Sequence, residues 1–276
     1  MTLTRLAPML LLCLSSTAFA QEEGGRDTRA DGQRSPWGIG VAAVVTDSPY
    51  AGEGTRVLPV PLLSYEGERF YFRGITAGWR LVDSDGFELA VLGKARLDGF
   101  DVDDLDRAVL AGNGVDAALL EDRDKGLDLG LGMEWSGDAG ELQLELLADA
   151  SGRSDGQEVS LQYGYPIRAG RTLLTPIVGA TWWSSDMAGY YYAPLREEVA
   201  RGVPGYSPGA VTVPHAGVSF FRPLGQAWSL VGSLRYSHLP SAIGNSPFVE
   251  PGTDGTLSMF VGVSRGFRPW WVKQGR

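Results

Sequence analysis

The sequence predicts an antiparallel transmembrane β-barrel of the outer-membrane type, with about twelve strands and ten as the fallback count. Three observations carry that prediction. Leu127, Leu129, Leu131, Met133 and Trp135 alternate with Asp128, Gly130, Gly132 and Glu134, and an apolar/polar period of two marks a strand with one face in an apolar medium and the other in a polar one. The run is longer than the ~5–6 residues of an ordinary strand and close to the ~9–11 that a tilted strand needs to cross a bilayer. The same alternation returns along the chain, with short and long connections taking turns from the fourth strand onward. Outer-membrane barrels are built that way, with tight periplasmic turns and longer outside loops. Finally, a secretory leader stands in front of a chain that has no later apolar stretch of helix-spanning length.

The leader is residues 1–20. Arg5 supplies its positive end, Leu6 to Leu14 its apolar core, and Ala18-Phe19-Ala20 its small-residue cleavage site. Cys13 lies inside the leader behind Leu12, not the small residue that a lipidation signal needs. Cleavage leaves a chain without cysteine, which excludes a disulfide and a thiolate metal site. Losing Arg5 leaves 23 basic against 33 acidic residues, which argues against nucleic acid as a partner. Residues 21–36, rich in Glu, Asp, Arg and Gly, read as a disordered periplasmic lead-in. The barrel is expected over 37–267 and a C-terminal extension over 268–276.

The strands follow in order. The first is about Gly38 to Val45, opened by Trp37, and the second Val57 to Tyr65. Pro59 and Pro61 in the second cannot donate to a ladder, so the strand is irregular or turns its proline nitrogens away from a partner. The third runs from Phe70 to Val82 with a phase slip at Gly74, which suggests a bulge or tight bend. The fourth is Phe87 to Leu97. An acidic loop, Asp98 to Asp124, follows, with helical character over Ala108 to Leu120. The fifth strand is the alternating run above, where inward-facing Gly130 is expected to accept a large side chain more readily than Leu131. The sixth alternates Leu142, Leu144 and Leu146 with Glu141, Gln143 and Glu145. The seventh carries Val159 to Tyr165, and Pro166 to Arg171 turns into the eighth, which ends at Trp182-Trp183. A second long loop covers Ser184 to Gly209. Strands nine and ten are about Val211 to Phe221 and Trp228 to Tyr236. The third long loop is His238 to Gly255, and the last strand ends at Phe267.

That is eleven strands, whereas a single-chain bacterial barrel has an even number. Either one crossing is missed or one counted strand does not span, and Gly74 and the proline-bearing second strand are the places to look for it. Trp37, Tyr65, Trp135, Tyr165, Trp182, Trp183, Trp228, Tyr236 and Phe267 fall near strand ends, as interfacial girdles do. A soluble β-sandwich also alternates. Strand length, girdles, leader and a polar face of Glu, Asp, Gln and Gly favour the barrel.

Particular segments then resemble a known family. Ser48-Pro49-Tyr50-Ala51-Gly52, Leu58-Pro59-Val60-Pro61-Leu62-Leu63-Ser64-Tyr65-Glu66-Gly67 and Phe70-Tyr71-Phe72-Arg73-Gly74 are similar to the start of the MipA/OmpV family. Tyr163-Gly164-Tyr165-Pro166, Tyr190-Tyr191-Tyr192, Gly205-Tyr206-Ser207-Pro208-Gly209, Trp228-Ser229-Leu230 and Ser246-Pro247-Phe248-Val249 fit in the same order. The chain departs from the family in running nine residues beyond Phe267 and in having Ala193-Pro194 after the tyrosines. The resemblance implies a non-enzymatic envelope barrel in contact with outer-membrane lipid. It also implies a scaffold role, holding a lytic transglycosylase (MltA) and a penicillin-binding protein. Other members resemble porin-like or adhesive surface proteins.

Candidate sites follow from the alternation. Lys94, Arg96, Asp128, Glu134, Glu141 and Glu145 are candidates for lining the lumen, where mixed charge lines a narrow pore or pairs and closes it. Tyr190, Tyr191 and Tyr192 are candidates for a loop interaction, since aromatic side chains give rigid contact area; the alternative is that they anchor the loop. A lipid-cleaving site would need a Ser–His pair. His215 and Ser219 share a face but stand ~13 Å apart along one strand, beyond the ~3 Å that proton transfer requires. Ser237 points opposite to its neighbour His238. Asp101, Asp103, Asp104 and Asp106 suggest a calcium loop but lack the glycine and closing glutamate of an EF-hand. No catalytic residue, metal or cofactor is assigned. A passive channel for small solutes is the alternative function, and an outer-membrane lipid hydrolase the third.

Overall fold

Alternation of lipid-facing and inward-facing side chains obliges the strands to pair all round, because hydrocarbon offers backbone N–H and C=O groups no partner. A computed structural model describes residues 36–267. The leader, the lead-in apart from Pro36, and the extension 268–276 lie outside the described residues. The strands are β1 (Trp37–Asp47), β2 (Thr55–Glu66), β3 (Phe70–Arg73), β4 (Thr76–Ser84), β5 (Phe87–Arg96), β6 (Gly126–Gly137), β7 (Gly140–Asp149), β8 (Gln157–Gly164), β9 (Ile167–Ala169), β10 (Thr172–Trp183), β11 (Val211–Leu224), β12 (Trp228–His238) and β13 (Gly255–Phe267). Each is antiparallel to its neighbour, and β13 pairs back onto β1 from Trp37↔Phe267 to Thr46↔Ser258, closing the sheet. The three-residue β9 continues β8 beyond Tyr165-Pro166, and both lie against β10. The wall therefore has twelve strands.

The hidden crossing is at Gly74. The stretch Phe70 to Val82, read from sequence as one strand, is the hairpin β3–β4, with Arg73 opposite Thr76. Gly74 has φ +61°, a conformation glycine adopts without a Cβ penalty. The phase slip marks a reversal of direction; the register shift in this region lies between Arg80 and Val82. Two further expectations are corrected. The turn placed over Pro166 to Arg171 is narrower, because Ile167–Ala169 still pair with β10. The helix expected over Ala108 to Leu120 is α1 (Arg107–Gly112), which ends at Asn113-Gly114 before a single 3₁₀ turn, Ala117–Leu119.

Hairpin β3–β4 leaves one irregularity. β3 pairs with β2 only over Ser64 to Glu66. The outer part of β2, Thr55 to Leu63, has a strand partner on the β1 side alone among the described pairings. The Gly74 N–H donates to the Leu63 carbonyl, while the Glu66 N–H donates to Pro36 on the other side. Backbone groups of a strand point to alternate sides, so the odd residues of β2 face the unpaired edge. Pro59 and Pro61 are among them, their nitrogens turned away from a partner as the sequence reading allowed.

Leu127, Leu129, Leu131 and Trp135 of β6 are exposed on the outside (Leu129 51 %), whereas inward residues are not (Asp128 1 %). Strand backbones approach closely at inward glycines: a Cβ on Gly130 would lie 1.8 Å from the Leu146 carbonyl oxygen. Gly130 is therefore not a permissive site, contrary to the expectation that it takes a side chain easily. Trp135, Tyr165, Trp182, Trp228 and Tyr236 are exposed on the outside. Trp183 is not a girdle residue, because it faces inward and is 5 % exposed.

The rim opposite the chain ends carries the loops 48–54, 97–125, 150–156, 184–210 and 239–254. They hold α1, α2 (Ser185–Tyr192), α3 (Arg196–Ala200) and α4 (Ser241–Gly244). Asp106 caps α1 by accepting from the Ala108 and Val109 N–H groups, and Ser184 caps α2 by accepting from the Met187 N–H. Four of these loops share one apolar core with the barrel mouth. Tyr50, Phe100, Leu110, Met187, Tyr191, Tyr192, Ile243 and Phe248 meet there, and none is more than 2 % exposed. The outer mouth is thus covered by a cap with a hydrophobic core of its own.

Candidate functional site

Strand register decides what faces the lumen. Glu134 lies between Glu88 on β5 and Gln143 on β7, and Asp128 between Lys94 and Asp149. Lys94, Arg96, Asp128, Glu134, Glu141 and Glu145 are all on the inward side of β5 to β7, opposite in phase to the exposed leucines. Near the outer mouth, Arg96 reaches Asp128 through Nε at 2.7 Å, Asp98 through Nη1 at 2.8 Å and Glu158 through Nη2 at 2.7 Å. Trp183 donates its indole N–H to Glu158 at 3.0 Å. Lys94 pairs with Glu145 at 2.7 Å. A second cluster lies nearer the turn rim, where Arg80 bridges Glu88 at 2.7 Å and Glu66 at 2.9 Å. The Tyr71 ring sits between Arg73 and Arg80, with guanidinium carbons 4.2 and 4.7 Å from its centroid. Multidentate guanidinium–carboxylate contacts are the strong form of charge-assisted hydrogen bonding. They cross-link β2, β4, β5, β6 and β8 through the interior, and the Lys94–Glu145 pair adds β7.

The rest of the interior is different. Ala42, Val44, Leu58, Val60, Leu62, Phe221, Val231 and Phe260, from β1, β2 and β11 to β13, form an inward apolar cluster against which Leu97 packs. Between the two sectors, under the cap, lies a cavity of about 80 Å³. Its charged wall is Lys94, Arg96, Asp98, Asp128, Glu158 and Arg235, and Ile75, Ala95 and Leu97 line it on the side of the β3–β4 tip.

His215 faces this cavity with Nε2 3.2 Å from Gln162 Oε1, the oxygen that also accepts from Arg235. Ser219 is on the same inward face, opposite Ser233. The ladder does set a serine across from a histidine, Ser237 opposite His215. The imidazole nonetheless turns to Gln162 on the other side. His238 ends β12 at the looped rim. Among the described residues no cluster of His, Cys, Asp and Glu has metal-binding spacing. Asp104 pairs with Arg56, and Asp106 serves as the α1 cap.

The tyrosines expected in a loop interaction end α2. Tyr191 and Tyr192 are each 1 % exposed. Tyr192 stacks between Tyr50 and Trp183 at centroid distances of 5.5 and 6.0 Å. Tyr190 is partly exposed, and its hydroxyl accepts from the Asp124 N–H at 3.0 Å. Burial pushes the Tyr50 and Tyr191 hydroxyls up from their ordinary range.

Arg123, which the alternation does not single out, pins the cap. It pairs with Glu198 at 2.7 Å with both side chains 0 % exposed. It also donates to the carbonyls of Tyr190, Glu121 and Ala193, and its guanidinium stands 5.3 and 5.5 Å from the Phe100 and Phe248 rings. Burial alone would raise the Glu198 carboxyl. The hydrogen bonds and charge of Arg123, with the N–H groups of Glu121 and Leu195, outweigh it and hold the group below the usual carboxylate range. One of only two arginines inside the acidic stretch 98–124, it was the signal available in the sequence.

Over residues 39–267 the chain matches the family described as MltA-interacting protein MipA. It is similar to YiaT of Escherichia coli (strain K12), described as an outer membrane protein, with 29 % identity over 85 % of this chain and 92 % of that one. It is also similar to MltA-interacting protein of the same strain, with 27 % identity over 94 % and 97 %. Among solved structures, the NanC porin aligns over 83 % of this chain and all of its own, with 9 % identity and a TM-score of 0.45.

Proposed function

Because the chain belongs to the MltA-interacting protein MipA family of outer-membrane β-barrels, we propose that it is a non-enzymatic scaffold. On this reading the short-turn rim at the periplasm holds a lytic transglycosylase, with a penicillin-binding protein as the second partner. The observation that carries the reading is the interior. Its charges are tied to one another across β2 to β8, its outer mouth is covered by a cored cap, and the cavity between them is about 80 Å³. Such an interior stiffens a platform and leaves little room for solute. Two relatives support the reading by description: one is named for its interaction with MltA, and another is described as an outer membrane protein.

Native protein recovered from mildly solubilised envelopes is expected to bring down a lytic transglycosylase. Recovery of no cell-wall enzyme, with the barrel intact, overturns the scaffold. The second reading is a narrow solute channel, favoured by the charged luminal wall. Planar-bilayer recording separates the two. The scaffold reading expects a silent barrel, and a steady ohmic conductance from correctly folded protein would replace it with the channel.

A further inference from the structure

The wall is incomplete where the interior is apolar. Among the described residues, Thr55 to Leu62 of β2 have no strand on their β3 side, in the outer half of the barrel, since β2 descends from the looped rim and β3 covers only its lower end. Immediately inside that edge are Leu58, Val60 and Leu62, packed with Val44, Phe260 and Leu97. All three β2 residues are partly exposed, whereas Val44 and Phe260 are buried. The cavity approaches this cluster through Leu97, which belongs to both. It is lined by Ile75 at the hairpin tip and by Ala95, whose partner Leu127 is an outward residue. Cavity and apolar cluster therefore meet at Leu97, beside the gap.

We propose that this gap is a lateral portal, through which an acyl chain of an outer-leaflet lipid reaches the apolar sector of the lumen. Three features favour that occupant. The depth is right, because the edge lies opposite the outer leaflet and is flanked by exposed Val57 and Leu63. The lining is right, because aliphatic and aromatic side chains would exchange contact with one another for contact with a chain of the same polarity. The chemistry of the edge also excludes the obvious rival, a partner strand that pairs with β2. Pro59 and Pro61 have no N–H to give, and their nitrogens face the open side, so a ladder there would lose two successive donors in its middle.

Bromolipid quenching tests the portal on the full barrel. Cleavage of the leader removes Cys13, so Val60→Cys or Leu62→Cys carries a single fluorescent thiol label, and Ser160→Cys supplies the control on the opposite luminal wall. Heat-modifiable migration on a detergent gel confirms that each variant folds. In vesicles of phosphatidylcholine brominated on its acyl chains, labels at 60 and 62 are expected to lose at least half their fluorescence. The label at 160 is expected to respond to aqueous iodide and not to bromolipid. Labels at 60 and 62 quenched by iodide alone, or no more by bromolipid than the control, overturn the proposal. A second measurement needs no variant. Native mass spectrometry of the unmodified barrel is expected to retain one or more lipid molecules, fewer for the folded variant Leu62→Glu; equal retention counts against the portal.

Discussion

Replacing Arg123 by alanine should open the cap and leave the barrel standing. The guanidinium is fully enclosed with Glu198 and gives hydrogen bonds to three loop carbonyls. Its removal leaves a carboxylate at 0 % exposure with two backbone N–H partners and no countercharge. Removing one member of a buried pair costs about 3–5 kcal/mol, chiefly as the penalty of the stranded charge. That cost falls on the local opening of the loops, since neither residue lies on a strand. At about 1.4 kcal/mol per tenfold, the cap should be cleaved by protease roughly a hundred- to a few-thousandfold faster, provided cleavage tracks the opened state. Heat-modifiable migration should be unchanged, because the ladders are untouched. The double variant Arg123→Met with Glu198→Leu removes both charges and keeps apolar bulk. It should recover part of the loss, with a coupling of about 0.5–3 kcal/mol. Cap cleavage at the native rate in Arg123→Ala would refute the reasoning. So would a double variant that is no better than the single one.

Other expectations follow from the same geometry. The Glu198 carboxyl is held below its usual range, so the stability it contributes is present above the unfolded value, about 4.3, and is lost as pH falls through the lower folded value. Protease protection of the cap, followed with pepsin, should be level from neutral pH to about that value and then fall, and Glu198→Gln should remove this component. Leu131→Arg at mid-bilayer depth should cost about 2–4 kcal/mol in reversible unfolding from lipid. Gly130→Ala should also destabilise, by about 1–3 kcal/mol, because its Cβ meets the Leu146 carbonyl; an unchanged unfolding midpoint would contradict the close approach. Arg96→Gln should leave Asp98, Asp128 and Glu158 without their shared cation and lower the barrel's unfolding midpoint. A midpoint equal to the native one would show that the cluster is not holding β5, β6 and β8 together.

The strands were legible because each must satisfy two media at once, and Leu127 to Trp135 records that in alternate letters. The twelfth crossing was legible only as an irregularity. Gly74 breaks phase in the same way whether a strand bulges or reverses, and β3, at four residues, is too short to show a period of its own. Trp183 was misplaced because adjacent tryptophans at a strand end look alike, although alternation sends one to lipid and the other to Glu158. The cap was not legible. Its core joins Tyr50, Phe100, Tyr192 and Phe248 from four loops, and no period links residues so far apart. Among the candidate residues, the luminal charges fell where phase put them. Their partners Glu158 and Asp98 were missed because pairing across three strands is a property of barrel curvature, which no single segment encodes.

Nearly every ladder in the wall joins strands that follow one another in the chain, but the seam of β1 and β13 sets Trp37 beside Phe267. Until the last strand exists, two raw edges face hydrocarbon with their amide groups unanswered, and no shorter cylinder of the same curvature is available to a partial chain. Insertion should therefore be all-or-none with respect to chain completion. A polypeptide stopped after β12 is expected to be degraded as an unassembled sheet rather than to accumulate as a smaller pore.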